Sequence, residues 1–139
     1  MGEKDSIETE WYETGQVKSK TSWTYGLYDG FCVDWYENGQ LKEVQNFINN
    51  FREGYYYSFY ENGNIEWFTE WKNDRITGEN IYYYKSGEMF SYGNLEKGCG
   101  ILKFYTKFGE LYMEETIKNG EHVDFYYYFH PENESDLPD

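Results

Sequence analysis

The sequence predicts an all-β protein: an elongated, twisted, mostly single-layer antiparallel β-meander built from tandem hairpin repeats of about 24 residues. The first observation is periodicity, because a turn glycine recurs every 24 residues at Gly15, Gly39, Gly63 and Gly87, and again 22 residues later at Gly109. The second is composition, because aromatic residues make up 23% of the chain and alanine is absent, which favours strands over helices. Repeats of this length are typical of arrays in which each unit contacts only its neighbours, and such arrays usually supply binding surfaces.

The second repeat shows how one unit is built. Apolar and polar residues alternate from Phe31 to Tyr36, which predicts a strand. Asn38-Gly39 follows, and this dipeptide predicts a two-residue hairpin turn because it readily adopts positive φ angles. Residues 41–48 are the predicted returning strand, and residues 49–54 are predicted as a second, looser turn that leads into the next repeat.

Equivalent positions carry similar side chains in successive repeats. The position four before the turn glycine is always aromatic, and side chains alternate between the two faces of a strand. We therefore predict a cross-strand aromatic ladder on one face, formed by Trp11, Trp35, Phe59 and Tyr83. The next residue in each repeat is a tyrosine on the opposite face, at Tyr12, Tyr36, Tyr60 and Tyr84.

The spacing changes between the fourth and fifth repeats. The loop at residues 95–100 is about two residues shorter than its counterparts, and the turn that ends at Gly109 is predicted to contain one extra residue, Phe108. These departures predict a bulge or a local change in sheet curvature. We divide the chain into a lead-in at residues 1–10, one repeat-array domain at residues 11–133, and an acidic tail at residues 134–139 that we expect to be disordered.

Charge restricts the classes of partner. The formal net charge is −14, from 26 acidic and 12 basic residues. This charge disfavours nucleic acids and anionic membranes, which are themselves negative, and favours a basic partner. The alternative is that surface acid only keeps an aromatic sheet soluble. Because the chain contains no long apolar run, we expect a soluble, cytoplasmic protein without a membrane span.

Catalytic motifs are missing from the sequence. Its two histidines, His122 and His130, have no cysteine or histidine neighbours at metal-ligand spacing, and the glycines recur at turn positions rather than in a phosphate-binding loop. We therefore predict no catalytic residues, no metal, no cofactor and no enzymatic activity.

Acidic and aromatic side chains near the hairpin ends are the candidate partner-binding residues. A rigid acidic surface can occupy the groove of a basic enzyme, with charge steering the encounter and buried aromatic anchors slowing release. The candidates are Asp34, Glu37, Tyr57, Glu61, Asp74 and Glu79. For Glu37 and Glu61 the alternative role is turn solubility, and for Tyr57 it is packing within the sheet.

The phrase from Trp35 to Lys42 resembles the variant MORN repeat, and a further glycine stands fifteen residues after each of the first three turn glycines, at Gly30, Gly54 and Gly78. The last two repeats depart from this pattern, with Leu102 and Asp124 at the corresponding positions. The resemblance spans residues 11–133. Bacterial chains made only of this variant are similar to the YwqK-type antitoxins of toxin–antitoxin systems. The resemblance implies an immunity protein or antitoxin that binds and blocks a toxin domain, such as a basic nuclease or deaminase-like enzyme.

Two other functions compete with this interpretation. The chain is alternatively a self-associating scaffold, for instance a homodimer, because an unpaired terminal strand exposes backbone groups that another copy can complete. Other MORN proteins suggest lipid binding, but the acidic charge and the lack of a basic patch argue against it.

Overall fold

The computed structural model describes residues 5–132, which form one open antiparallel sheet without helices. Strands follow one another in chain order across the sheet, except that the short β5 pairs only with the end of β4. The predicted all-β antiparallel meander is confirmed. The strands are β1 (Asp5–Trp11), β2 (Val17–Thr24), β3 (Leu27–Trp35), β4 (Leu41–Ile48), β5 (Phe51–Arg52), β6 (Gly54–Phe59), β7 (Ile65–Lys72), β8 (Arg75–Tyr83), β9 (Met89–Leu95), β10 (Gly100–Tyr105), β11 (Leu111–Lys118) and β12 (Glu121–Tyr127).

The sheet begins before the predicted start of the repeat-array domain. Strand β1 already begins at Asp5, so it occupies most of the segment predicted as a lead-in. The acidic tail at residues 134–139 lies outside the described residues.

The turns that contain the periodic glycines are three-residue loops. In the second repeat the Gly39 amide donates to the Tyr36 carbonyl at 2.9 Å, and the Tyr36 amide donates to the Gln40 carbonyl at 2.8 Å. Within this turn only Gly39 has a positive φ, of 88°. This is a type I turn closed by a left-handed glycine, so the predicted two-residue turn is wrong. Asn38 is not left-handed here, and its side-chain oxygen accepts a hydrogen bond from the Gln40 amide at 2.9 Å.

Two-residue turns lie instead at the opposite ends of the strands. Both central residues have positive φ there, for example 48° at Asn49 and 70° at Asn50. The looser turn predicted for this segment is therefore wrong as well. Asn and Asp tolerate the left-handed conformation, so the turns at residues 49–50 and 73–74 form without a glycine, whereas the other three have glycine as the second central residue. The turns are at residues 25–26, 49–50, 73–74, 97–98 and 119–120.

The hairpin formed by β9 and β10 explains the shorter repeat. Earlier hairpins shift register beside a left-handed glycine such as Gly78, which adds residues to one strand. From Leu102 opposite Gly93 to Cys99 opposite Glu96, the pairing keeps one register. The turn before Gly109 has the same hydrogen bonds as the others, so the prediction of an extra residue at Phe108 is wrong.

Tyrosine hydroxyl groups connect successive repeats at the strand ends where the three-residue turns lie. The Tyr36 hydroxyl donates to the Phe59 carbonyl at 2.7 Å, and Tyr12, Tyr60 and Tyr84 donate in the same way at 2.8 Å to the carbonyls of Trp35, Tyr83 and Tyr105. Three residues of the predicted aromatic ladder are thus hydrogen-bond acceptors through their backbone, while the fourth, Trp11, is 60% exposed. The ring contacts of the described sheet do not join these four side chains to one another.

The sheet curls toward one of its faces, which we call the inner face. A flat sheet would place β6 and β12 roughly 30 Å apart at about 4.8 Å per strand. A single cavity is nevertheless lined by Arg52 beside β6, Trp71 on β7 and His122 on β12. The buried apolar core, formed by Leu95, Leu102 and Ile117 with Ile76 and Phe104 packed against it, lies on this face.

Candidate partner-binding face

An acidic and aromatic pocket of about 210 Å³ opens on the inner face, and we call it the acidic pocket. Its central residues stand opposite one another across four strands: Glu43 pairs with Ser58, Ser58 with Trp67, and Trp67 with Tyr82. Strand pairing therefore fixes their spacing. The lining residues are Tyr36, Lys42, Glu43, Tyr56, Ser58, Glu66, Trp67 and Tyr82.

Stacked rings form one wall of this pocket. Trp67 and Tyr82 are nearly parallel, at 4° with centroids 5.2 Å apart, and Tyr56 lies 4.6 Å from Trp67. The Trp67 indole N–H donates to Oδ1 of the buried Asn80 at 2.5 Å, which holds the ring in place. Aromatic faces of this kind attract Lys and Arg side chains.

Glu43 and Glu66 line the pocket and Asp34 lies beside Glu43 on β3; Lys42 also lines the pocket, and its charge partly offsets the rise in pKa that burial causes at Glu43 and Asp34. No lysine or arginine of residues 5–132 forms an ion pair with Asp34, Glu43 or Glu66. Burial raises the pKa of Glu43, and the charge of Asp34, on the opposite position of β3, raises that pKa further. Burial is also the main cause of the raised pKa of Asp34. Glu66 accepts only a weak bond, at 3.2 Å from the Ser58 hydroxyl.

The three tyrosines of the pocket, Tyr36, Tyr56 and Tyr82, remain protonated at neutral pH, because burial raises the pKa of each. Burial raises the pKa of Tyr82 to about 12, assisted by the negative charges of Glu115 and Glu66. Burial and Glu43 raise the pKa of Tyr56 as well. The pocket thus combines neutral aromatic rings with two carboxylates, Glu43 and Glu66, against one lysine, Lys42, and this net negative lining suits an ammonium or guanidinium group.

A second cavity, of about 380 Å³, lies on the inner face near the two-residue turns, and we call it the inner cavity. Apolar side chains from β8 to β11 line it, together with Trp71. The Arg52 guanidinium stacks 4.6 Å from the Trp71 ring and lies 3.7 Å from the Asp74 carboxylate. On the opposite wall, Nδ1 of His122 lies 2.5 Å from the buried Glu115 carboxylate.

The structure separates the six predicted partner-binding residues. Asp34 lies on the inner face beside Glu43, and Asp74 lines the inner cavity. Glu37 and Glu61 are exposed in three-residue turns, while Glu79 is exposed beside the Gly78 bulge. Tyr57 points to the outer face, where it packs against Phe59 and Phe68.

Sequence reasoning missed the residues that line the acidic pocket. Glu43 and Trp67 share one column, four residues after their turn glycines, and nothing in the sequence marks that column as a binding site. The column varies from repeat to repeat, and only the true turn register shows which residues it brings together.

The described residues show neither a metal-binding cluster nor a membrane-spanning helix. Residues 5–132 contain no group of three or more His, Cys, Asp or Glu that could hold a metal ion. The described part of the chain also contains no helix long and apolar enough to cross a membrane.

Comparison with known proteins identifies the repeat. The family described as MORN repeat variant matches residues 4–24, 29–49 and 52–66. The MORN part of the resemblance is thus confirmed for these segments, and the antiparallel meander continues through β12. No curated protein and no solved structure matches the chain.

Proposed function

Because residues 4–66 of this chain carry MORN-variant repeats, we propose that it is a cytoplasmic interaction scaffold whose inner face binds a basic protein domain. MORN repeats occur in scaffolds for protein interaction. The proposed partner is a bacterial toxin domain, which this chain blocks as an immunity protein or antitoxin. The observation that carries the proposal is that Glu43 and Glu66, which form no ion pair with a lysine or arginine of residues 5–132, lie beside the stacked Trp67–Tyr82 pair.

Ionised carboxylates that are half-buried cost free energy, and a cationic partner reduces that cost. Glu43 and Asp34 are half-buried, and burial raises the pKa of each carboxyl; the negative charge of Asp34 raises the pKa of Glu43 further, and the charge of Glu10 raises that of Asp34. A lysine or arginine entering the pocket compensates these charges and stacks on Trp67. Enzymes that act on nucleic acids present basic grooves, so an acidic face can occupy the groove in place of the substrate. Blocking of this kind requires no catalytic group.

Capture from a native cell extract tests the proposal. A tagged protein should retain one basic protein in a 1:1 ratio after a moderate salt wash. That protein should be toxic when expressed alone, and co-expression of this chain should protect the cells. If the captured protein is not toxic, or co-expression gives no protection, the immunity function is wrong.

Two matched double variants separate the acidic pocket from overall charge. Glu43→Gln with Glu66→Gln removes two charges from the pocket, whereas Glu37→Gln with Glu61→Gln removes two charges from exposed turns. We expect the pocket variant to lose most of the capture and the turn variant to retain it. Equal losses would mean that the field of the whole molecule binds the partner and that the pocket is not the site.

Strand β12 favours a second candidate function, self-association. Every residue of this strand is exposed, including Phe125 at 54% and Tyr126 at 62%, and the described residues place no strand beyond it. An open apolar edge is a template for pairing with another chain. Light scattering should then show a dimer or larger species that Phe125→Lys converts to a monomer. A wild-type monomer at all concentrations would exclude this function.

A further inference from the structure

We propose that the inner cavity receives a bulky apolar side chain of the partner, from the same segment whose lysine or arginine enters the acidic pocket. This inference rests on the proposed function, which supplies the basic partner. The two sites share a side chain, because Tyr82 lines both. Asn80 lines the inner cavity and also accepts the hydrogen bond from the Trp67 indole of the acidic pocket. The two sites are therefore adjacent parts of one surface.

The lining of the inner cavity suits an apolar group. Its buried lining residues include Leu95, Leu102 and Ile117, and Ile76 and Tyr82 are only half-buried, so they still offer accessible apolar surface. The volume of about 380 Å³ is within the range of ligand sites, which are typically 300–1,000 Å³. A leucine or phenylalanine side chain that enters this space removes apolar surface from water on both molecules.

The charges around the inner cavity compensate one another. Arg52 lies 3.7 Å from the Asp74 carboxylate, and His122 lies 2.5 Å from the buried Glu115 carboxylate. With Arg75, the surroundings contain two arginines against two carboxylates. Neither sign predominates, whereas the lining of the acidic pocket is net negative. The two sites thus favour different groups, a cation in the acidic pocket and an uncharged apolar group in the inner cavity.

Strand β7 sets the distance between the two sites. Trp67 lines the acidic pocket and Trp71 lines the inner cavity, and these residues lie four positions apart on the same face of β7. At about 3.3 Å per residue, the separation is about 13 Å. An extended segment that lies along the strand covers this distance in four residues. We therefore expect the partner segment to carry a basic residue and a bulky apolar residue four positions apart.

Titration with the peptide acetyl-Phe-Thr-Ser-Thr-Lys-Thr-Ser-Thr-Phe-amide tests the proposal. A phenylalanine stands four positions from the lysine on each side, so either chain direction offers one ring to the cavity. NMR follows the Trp67 indole N–H and the Ile76 methyl groups, assigned with Trp67→Phe and Ile76→Val. Both signals should move with one dissociation constant, while the exposed Ile101 should not respond. No movement of the Ile76 signal at millimolar peptide would overturn the proposal.

Peptide variants separate this inference from the proposed function. Serine in place of both phenylalanines, or glutamine in place of the lysine, should weaken binding on the order of tenfold. Phenylalanines only two positions from the lysine should also bind weakly, because they reach about 7 Å. If the serine peptide binds as tightly as the parent and moves only the Trp67 signal, the cavity inference is wrong while the proposed function stands. If the glutamine peptide binds as tightly, the acidic pocket does not select a cation, and both are wrong.

Protein variants locate the apolar contact. Ile76→Trp should fill the cavity and reduce the affinity for the parent peptide to that of the serine peptide. The matched control is Ile101→Trp, at an exposed position of the outer face, which should leave binding unchanged. Dispersion of the indole signals confirms that each variant is folded. Equal binding of the parent peptide by Ile76→Trp and the wild type would place the apolar contact outside the cavity and overturn the proposal.

Discussion

At the scale of single residues, one hydroxyl group joins each repeat to the next. The Tyr36 hydroxyl donates across the sheet to the Phe59 carbonyl, and equivalent tyrosines do the same in the other repeats. The tyrosine column was visible in the sequence, but its role was not, because a hydroxyl bond to a backbone carbonyl leaves no pattern in the acceptor's side chain. The acceptor residues were predicted to act through their rings.

Tyr36→Phe measures the contribution of this hydrogen bond. We expect the free energy of unfolding to fall by about 0.5–1.5 kcal/mol, because the Phe59 carbonyl loses its donor while the ring is kept. Urea unfolding followed by tryptophan fluorescence gives the value. The matched control is Tyr55→Phe, since Tyr55 is 58% exposed, and it should change stability by less than about 0.5 kcal/mol. Equal effects of the two substitutions would show that the hydroxyl ladder does not stabilise the array.

Glu43 links stability to pH through its raised pKa. Burial favours the neutral carboxyl, so the folded protein keeps this proton to higher pH than the unfolded chain, in which the pKa is about 4.3. The folded state then binds more protons between the unfolded and folded pKa values, and stability falls as pH rises through that interval. Glu43→Gln should therefore raise the free energy of unfolding at pH 7, and the gain should disappear below about pH 4.

Urea unfolding of the Glu43→Gln variant between pH 4 and pH 7 checks this expectation. Glu61→Gln, which changes an exposed turn carboxylate, should show no comparable gain. If Glu43→Gln destabilises the protein at pH 7, the carboxylate supports the fold. A gain in stability together with a loss of partner capture would show that Glu43 is kept for binding at a cost to the fold.

At the scale of hairpins, the strands were predicted well from the sequence, but the two types of turn were exchanged: the glycine turns have three residues, and the turns at the other ends of the strands have two. Asn38-Gly39 is a typical two-residue turn signal, but the Asn38 side chain bonds to the Gln40 amide, and only the glycine becomes left-handed. Asn49 and Asn50 form the two-residue turn instead. Local propensity allowed both outcomes, and pairing between neighbouring hairpins selects one of them. The Asn50 amide, for example, donates to the Tyr28 carbonyl at 2.8 Å.

Gly93 permits the close packing of β9 against β10. A Cβ atom at this position would lie 2.5 Å from Cδ2 of Leu102 and 2.6 Å from the Ile101 carbonyl oxygen. The backbone oxygen cannot rotate away as a flexible side chain would. Gly93→Ala should therefore lower the free energy of unfolding by about 1–3 kcal/mol through overpacking.

Urea unfolding again supplies the measurement for this hairpin. Asn94→Ala, at the exposed neighbouring position, should change stability by less than about 0.5 kcal/mol. A Gly93→Ala variant as stable as the wild type would mean that β9 and β10 can move apart without cost.

At the scale of the whole molecule, the curl produces two sites that the sequence did not predict. The acidic pocket and the inner cavity need side chains that are distant in sequence, such as Trp71 and His122, to face one another. Period-two alternation predicts which face a residue occupies, but it does not predict how far that face curves. The acidic charge was visible from composition, whereas its concentration near Trp67 depends on register.

Salt concentration separates the two candidate functions because it changes them in opposite directions. Binding of the acidic face to a basic partner relies on attraction that is screened beyond about 8 Å at 0.15 M salt and about 3 Å at 1 M. The association rate should therefore fall steeply as salt increases.

Self-association brings together chains of net charge −14, and both terminal strands carry acids, including Glu8 on β1 and Asp124 on β12. Screening should strengthen that contact, because it relieves repulsion while leaving apolar burial intact. Light scattering and partner-binding kinetics over the same salt series measure both effects. Mass that rises with salt supports the scaffold, and a monomer at every salt concentration whose partner association slows supports the immunity protein.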